Sequence, residues 1–201
     1  MSSPILFEWA SKFNQDVALH LTLPQKRHLV EINSAVSRIV WIGSDSSFVH
    51  LLSIMPVLKR IALEENVELH ILGGDMMNSY IWPPKFNFEL WSIDRESEVL
   101  NSPFIGIMPL VTDEWSVGKG GFKALQYMSV GMPVVASPVG INTEIVSESN
   151  CGFLANSDDE WEMLIRTLLQ NSKLCSTYGK NGHDWISKKI SQVDYSSLIV
   201  I

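Results

Sequence analysis

A chain of 201 residues, with 46% hydrophobic and 18% charged side chains, has the composition of one folded domain and excludes a disordered protein. Its formal charge of -7 excludes a general nucleic-acid binder, which needs clustered Lys and Arg against phosphate. The two cysteines, Cys151 and Cys175, form no CxxC pair, which excludes a disulfide scaffold and a thiolate metal centre and fits a reducing cytoplasm.

The chain opens MSSPILFEWASKF, with Glu8 early and no basic leader, and so reads as no signal peptide. No apolar run approaches the roughly 18 residues that span a bilayer. Ile5, Leu6, Trp9, Ala10 and Phe13 fall at helical spacing and predict a short amphipathic helix over 4–14. Residues 17–23, Val-Ala-Leu-His-Leu-Thr-Leu, read as a strand ended by Pro24, and 25–37 as a polar linker.

From Arg38 the pattern becomes regular. The run 38–43 is apolar, β-branched and closed by glycine, which suits a buried parallel strand. A helix follows from Ser46, with Phe48, Leu51, Leu52, Met55 and Leu58 on one face and a kink expected at Pro56. Strands are expected at 67–72, 86–91, 104–110, 133–138 and 151–155, with helices near 95–101, 120–130 and 142–146. Ser157 and Glu160 form a capping box ahead of the stripe Trp161, Leu164, Ile165, Leu168 and Leu169, and a last helix spans about 172–190. Strands alternating with helices predict an α/β fold, a doubly wound parallel sheet of Rossmann-like type. Ligands of such sheets sit beyond the carboxyl ends of the strands, which singles out loops 43–47, 73–79, 92–95, 111–120 and 139–142.

The most informative of these is Gly-Lys-Gly-Gly-Phe-Lys-Ala-Leu-Gln at 118–126. Gly118, Gly120 and Gly121 let backbone approach a ligand, and a helix N-terminus there offers free N–H groups to an anion. Lys119, Lys123 and Gln126 stand at i, i+4 and i+7, one face if the helix reaches back that far. A solvated lysine face is the plain alternative. Two lysines one turn apart repel each other, however, and oppose the helix dipole, and a bound diphosphate reverses both penalties. Gly43 and Ser44 close the first strand, either as phosphate donors or as an ordinary helix cap. Gly140 either exposes N–H groups to a ligand or makes a tight turn with Asn142 as cap. Asp113 and Glu114 share the mouth, where they hydrogen-bond a sugar hydroxyl or are simply solvated. His20, His28, His50, His70 and His183 are scattered without metal spacing, and neither a dinucleotide fingerprint, a Walker loop nor a nucleophile elbow occurs. No catalytic nucleophile or base is assigned.

Four stretches resemble a known family: 40–44, 104–110, 119–140 and 144–155, of which the third, KGGFKALQYMSVGMPVVASPVG, is the longest. The chain resembles the C-terminal, donor-binding domain of GT-B-fold glycosyltransferases of retaining family 4, the group 1 transferases. The resemblance covers about residues 38–190. It implies a nucleotide-sugar-binding Rossmann-like domain at 38–201, and a remnant of an N-terminal domain with its linker at 1–37. It implies diphosphate contacts from Gly43, Ser44, Gly118, Lys119, Gly120, Gly121 and Lys123, and a ribose contact from Gln126, which stands where the family has the second Glu of its E-x7-E motif. The first Glu falls at Gly118, so donor-sugar contact passes to Asp113 or Glu114. The Arg and Lys that often follow the first strand are absent.

The expected function is retaining transfer of a hexose from a nucleoside diphosphate sugar to a glycan or lipid-linked acceptor in polysaccharide biosynthesis. It is cytoplasmic, without metal or other cofactor and without nucleic acid. The acceptor, and any peripheral membrane contact, belong to the missing N-terminal half. The alternatives are a non-catalytic nucleotide-sugar-binding or assembly module needing a separate N-terminal half, and, more remotely, a sugar-nucleotide epimerase.

Overall fold

In the computed structural model, which describes residues 2–192, six strands form one all-parallel sheet in the order β3-β2-β1-β4-β5-β6. The strands are β1 (Arg38–Ile42), β2 (Glu68–Gly73), β3 (Phe86–Leu90), β4 (Ile105–Met108), β5 (Val134–Ala136) and β6 (Gly152–Leu154). The order reverses between β1 and β4, so a crevice opens there at the carboxyl ends. The α/β, doubly wound, Rossmann-like class read from the sequence is the observed one. β4 and β5 are buried along their whole length, and β1 beyond its first residue, as expected of strands covered on both faces.

The helices are α1 (Pro4–Ser11), α2 (Phe48–Ser53), α3 (Met55–Glu64), α4 (Ile93–Leu100), α5 (Glu114–Val117), α6 (Phe122–Ser129), α7 (Asn142–Ser149), α8 (Asp158–Leu169) and α9 (Ser172–Gln192). α3 packs on α8 and α6 packs on α9, so both faces of the sheet are covered. Of the domain expected at 38–201, residues 193–201 lie outside the described residues.

The expected kink is a full break. Pro56 stands in the first turn of α3, where its missing N–H costs nothing, and the axes before and after Ile54 differ by 66°. Leu51, Met55 and Leu58 are buried, whereas Leu52 turns outward because the break ends the common stripe. Ser157 accepts the Glu160 N–H as the capping box requires, but the Glu160 carboxylate accepts from Asn156, one residue earlier than in the ideal box.

Two expectations fail. Residues 17–23 form no strand: the segment finds no sheet edge to pair with and runs as irregular chain, with Leu21 and Leu23 half-buried against the core. Residues 25–37 are irregular but not a free linker. Ile32 and Val36 are in the core, and the Val30 N–H donates to the Val130 carbonyl at 3.0 Å. No single described helix is long and apolar enough to cross a membrane.

Candidate functional site

α6 carries the site, and Tyr127 sets its position. The Tyr127 hydroxyl accepts the Ile42 N–H at 3.0 Å, where β1 ends, and its ring lies on Gly106 so closely that a Cβ there would meet it at 2.3 Å. The phenol is fully buried, and burial holds it protonated far above its ordinary pKa. α6 is thereby held with its N-terminus beside Gly43. Gly43 abuts the Trp41 ring: a Cβ would meet a ring carbon at 2.3 Å, so no other residue fits without displacing the indole.

A pocket of about 430 Å³ lies over the ends of β1, β2 and β3 against α6. Gly43, Ser44, Lys123 and Gln126, read from the sequence, come together in its wall. Lys123 is half-buried, with Nζ 5.6 Å from the Trp41 ring centroid. Burial first, and the Lys119 charge second, push its pKa down to about 8. Among the described residues neither Lys119 nor Lys123 has a carboxylate within salt-bridge distance. Gln126 is 6% exposed, and its side-chain amide makes no hydrogen bond inside the described chain.

The remaining residues are placed differently. Gly121 precedes α6 at φ 69°, in the left-handed region that favours glycine, so the helix cannot extend back through it. Lys119 therefore does not share a helical face with Lys123. It sits in the turn after α5, its N–H donating to the Ser116 carbonyl, and meets Lys123 only through the field between them. Gly118 and Gly120 face the N-terminal segment: Ser3 Oγ donates to the Gly118 carbonyl at 2.9 Å, and a Cβ on Gly120 would meet Ser2. Asp113 caps α5, its carboxylate accepting the Ser116 N–H at 2.6 Å, and that hydrogen bond holds it below the usual carboxylate range. Glu114 is exposed in the first turn of α5. Asn142 is no cap. It is buried as the first residue of α7, and its amide donates to the Ser137 carbonyl.

Sequence reading missed five groups. Trp91 directly follows β3 and is half exposed at the pocket rim. Its indole N–H donates to Glu96 at 2.7 Å, and Glu96 in turn lies 3.8 Å from Arg27 of the N-terminal segment. Asp45 lines the opposite wall, with one buried carboxylate oxygen unpartnered. His50 comes from α2 to the backbone of Val111. The position of Trp91 at a strand's carboxyl end was the available signal. The other four depend on contacts between distant segments.

Residues 36–171 match the family described as glycosyl transferases group 1. No curated protein matches the sequence. Among solved structures, TarM superposes with a TM-score of 0.63 at 16% identity, over 90% of this chain and 38% of its own. HepE of Anabaena, solved in complex with UDP-glucose, gives 0.55 at 14% identity over 79% of this chain and 49% of its own. The C-terminal domain of a group 1 family glycosyl transferase, LpcC from Francisella tularensis, gives 0.57 at 14% identity over 76% of this chain and 85% of its own. The chain thus spans less than half the length of TarM and HepE, and at these identities the likeness shows the fold alone. The family match covers all six strands of the sheet and the whole of α6, and on that ground the chain belongs to the group 1 glycosyl transferases.

Proposed function

We propose that this chain is the donor-binding domain of a glycosyltransferase, holding a nucleoside diphosphate sugar at the carboxyl end of its sheet. The observation that carries the reading is Lys123: a half-buried ammonium in the pocket wall in the first turn of α6, unpaired with any described carboxylate and with the Lys119 charge acting on it. An anion there relieves the desolvation of Lys123 and the repulsion at once. Gln126, one turn on, is set to hydrogen-bond a ribose hydroxyl, and Ser44 a phosphate oxygen. During transfer the charge growing on the leaving diphosphate is met by the two lysines and the helix N–H groups, so the reading invokes no metal. The complex of HepE with UDP-glucose supports a nucleotide sugar as the class of ligand.

The finer reading follows the family: retaining transfer of a hexose to a glycan or lipid-linked acceptor, in the cytoplasm, with residues 1–37 belonging to the N-terminal part of a two-domain enzyme. A non-catalytic binding module is the second reading. It is favoured by Gly118 in place of the first family Glu, and by the Asp113 carboxylate being engaged as a helix cap.

Saturation-transfer NMR and calorimetry with UDP, GDP, UDP-glucose and inorganic diphosphate test the donor site. Binding that weakens on Lys123→Ala is expected. A folded protein that binds none of these probes would falsify the reading. Hexose transfer, assayed with an N-terminal half supplied, then separates the enzyme from the binding module.

A further inference from the structure

Beyond β4 the chain leaves the sheet, and two successive amides are taken up by side chains. The Leu110 N–H donates to Ser137 Oγ at 2.9 Å, and the Val111 N–H donates to His50 Nδ1 at 3.2 Å. His50 lies on α2, 61 positions away in sequence, and is only 3% exposed. A ring nitrogen that accepts a hydrogen bond carries no proton, so the neutral ring keeps its proton on Nε2. Downstream, Asp113 caps α5, the Lys119 N–H reaches the Ser116 carbonyl, and Ser3 Oγ holds the Gly118 carbonyl. The segment from Val111 to Lys119 is thus fastened at both ends, and His50 is the fastening at the sheet.

The groups that act on the ring are those of the mouth itself. Burial lowers the His50 pKa most, Lys119 and Lys123 lower it further, and Asp113 opposes them. The ring is therefore neutral at neutral pH, and its Nδ1 stays free to accept.

We propose that His50 is a positioning residue for the donor site: its Nδ1 holds the backbone of Val111 and so sets the loop that brings Lys119 beside Lys123. The proposal rests on reading this mouth as a diphosphate site and does not need His50 to touch the ligand. Packing alone would be served by any side chain of similar volume. Positioning requires an acceptor where Nδ1 stands, which Asn supplies, Leu lacks and Gln places elsewhere.

The test compares His50→Asn, His50→Leu and His50→Gln in the whole chain. The amide resonance and exchange protection of Val111 are followed in the empty protein, and the Kd for UDP and for inorganic diphosphate in the loaded one. In the wild type the Val111 resonance shifts as pH falls below the ordinary histidine range, and in His50→Asn it does not. Losing one hydrogen bond to a part-buried amide corresponds to about a tenfold change. His50→Leu and His50→Gln should therefore lose that much Val111 protection and affinity, while His50→Asn stays within about threefold of the wild type on the same scale. A folded His50→Leu protein with wild-type protection and Kd overturns the proposal. Should His50→Leu not fold, Asn against Gln decides, and equal behaviour of the two overturns it. If the wild type binds neither UDP nor diphosphate, the donor reading falls, and Val111 protection alone decides whether His50 holds the loop.

Discussion

Lys123 carries two opposed pH effects. Its folded pKa is about 8, against an ordinary value of 10.5. The unfolded chain therefore binds more protons across that interval, and this group's contribution to stability rises with pH from about 8 to 10.5. An anion at the mouth needs the protonated amine, so affinity runs the other way and weakens as pH rises through about 8. Lys123→Met keeps the aliphatic stem over Trp41 and removes the charge. It should weaken the Kd for inorganic diphosphate by about 10- to 100-fold, the range for a charged hydrogen bond. It should also flatten the dependence of Kd on pH between 7 and 9 and raise Tm by about 2–4 °C, since an unpaired, half-buried charge is gone. Calorimetry across pH and a thermal melt check the three effects together. A variant that binds like the wild type while melting higher would leave the lysine as a buried liability with no ligand.

Between elements, the contact that matters most for the site is Tyr127 against the end of β1. Tyr127→Phe keeps the ring on Gly106 and Phe104 but leaves the Ile42 N–H buried and unpaired. The cost should be about 1–3 kcal/mol, read by urea denaturation. Nucleotide affinity should fall as well, because α6 loses what fixes its N-terminus beside Gly43. On the other face, Arg166 of α8 holds Glu64 and Glu65 of α3 together with Glu162. A partly exposed network of this kind is worth about 1–2 kcal/mol at most, so Arg166→Ala should destabilise by that amount and by less in high salt. These elements were legible in the sequence because most strands are short apolar or alternating runs punctuated by Gly, Pro or Asn, and the helix after Ser157 shows a full stripe. What was not legible is instructive. Residues 17–23 have strand composition but no partner edge, and a strand exists only by pairing. Lys119 has helical spacing to Lys123, but the left-handed backbone at Gly121 intervenes, and spacing carries no information about φ.

At the scale of the molecule, Gly43, Ser44, Lys123 and Gln126 could be found from the sequence because glycines and cations at strand ends have local meaning. Arg27, His50 and Glu96 could not, since each acts across a long sequence separation that only the packed topology closes. The same holds for residues 25–37, which composition marks as a linker and whose Ile32 and Val36 pack into the core. Ile32 and Val36 are buried, and burial of each is worth about 1.5–3 kcal/mol. Deleting residues 1–36 should therefore cost about 3–6 kcal/mol from hydrophobic burial alone, a large share of the 5–15 kcal/mol typical of a whole domain. Deleting only residues 1–13 removes Ser3 from the Gly118 carbonyl and Leu6 from its neighbourhood, and takes only the small side chain of Ala10 from the buried apolar residues. That shorter truncation should leave the global unfolding midpoint within about 1 kcal/mol of the full chain, as expected for one lost hydrogen bond. It should raise amide exchange selectively across 113–121. Exchange that increases uniformly across the sheet instead would show that α1 supports the whole fold and is not a local fastening for the lysine loop.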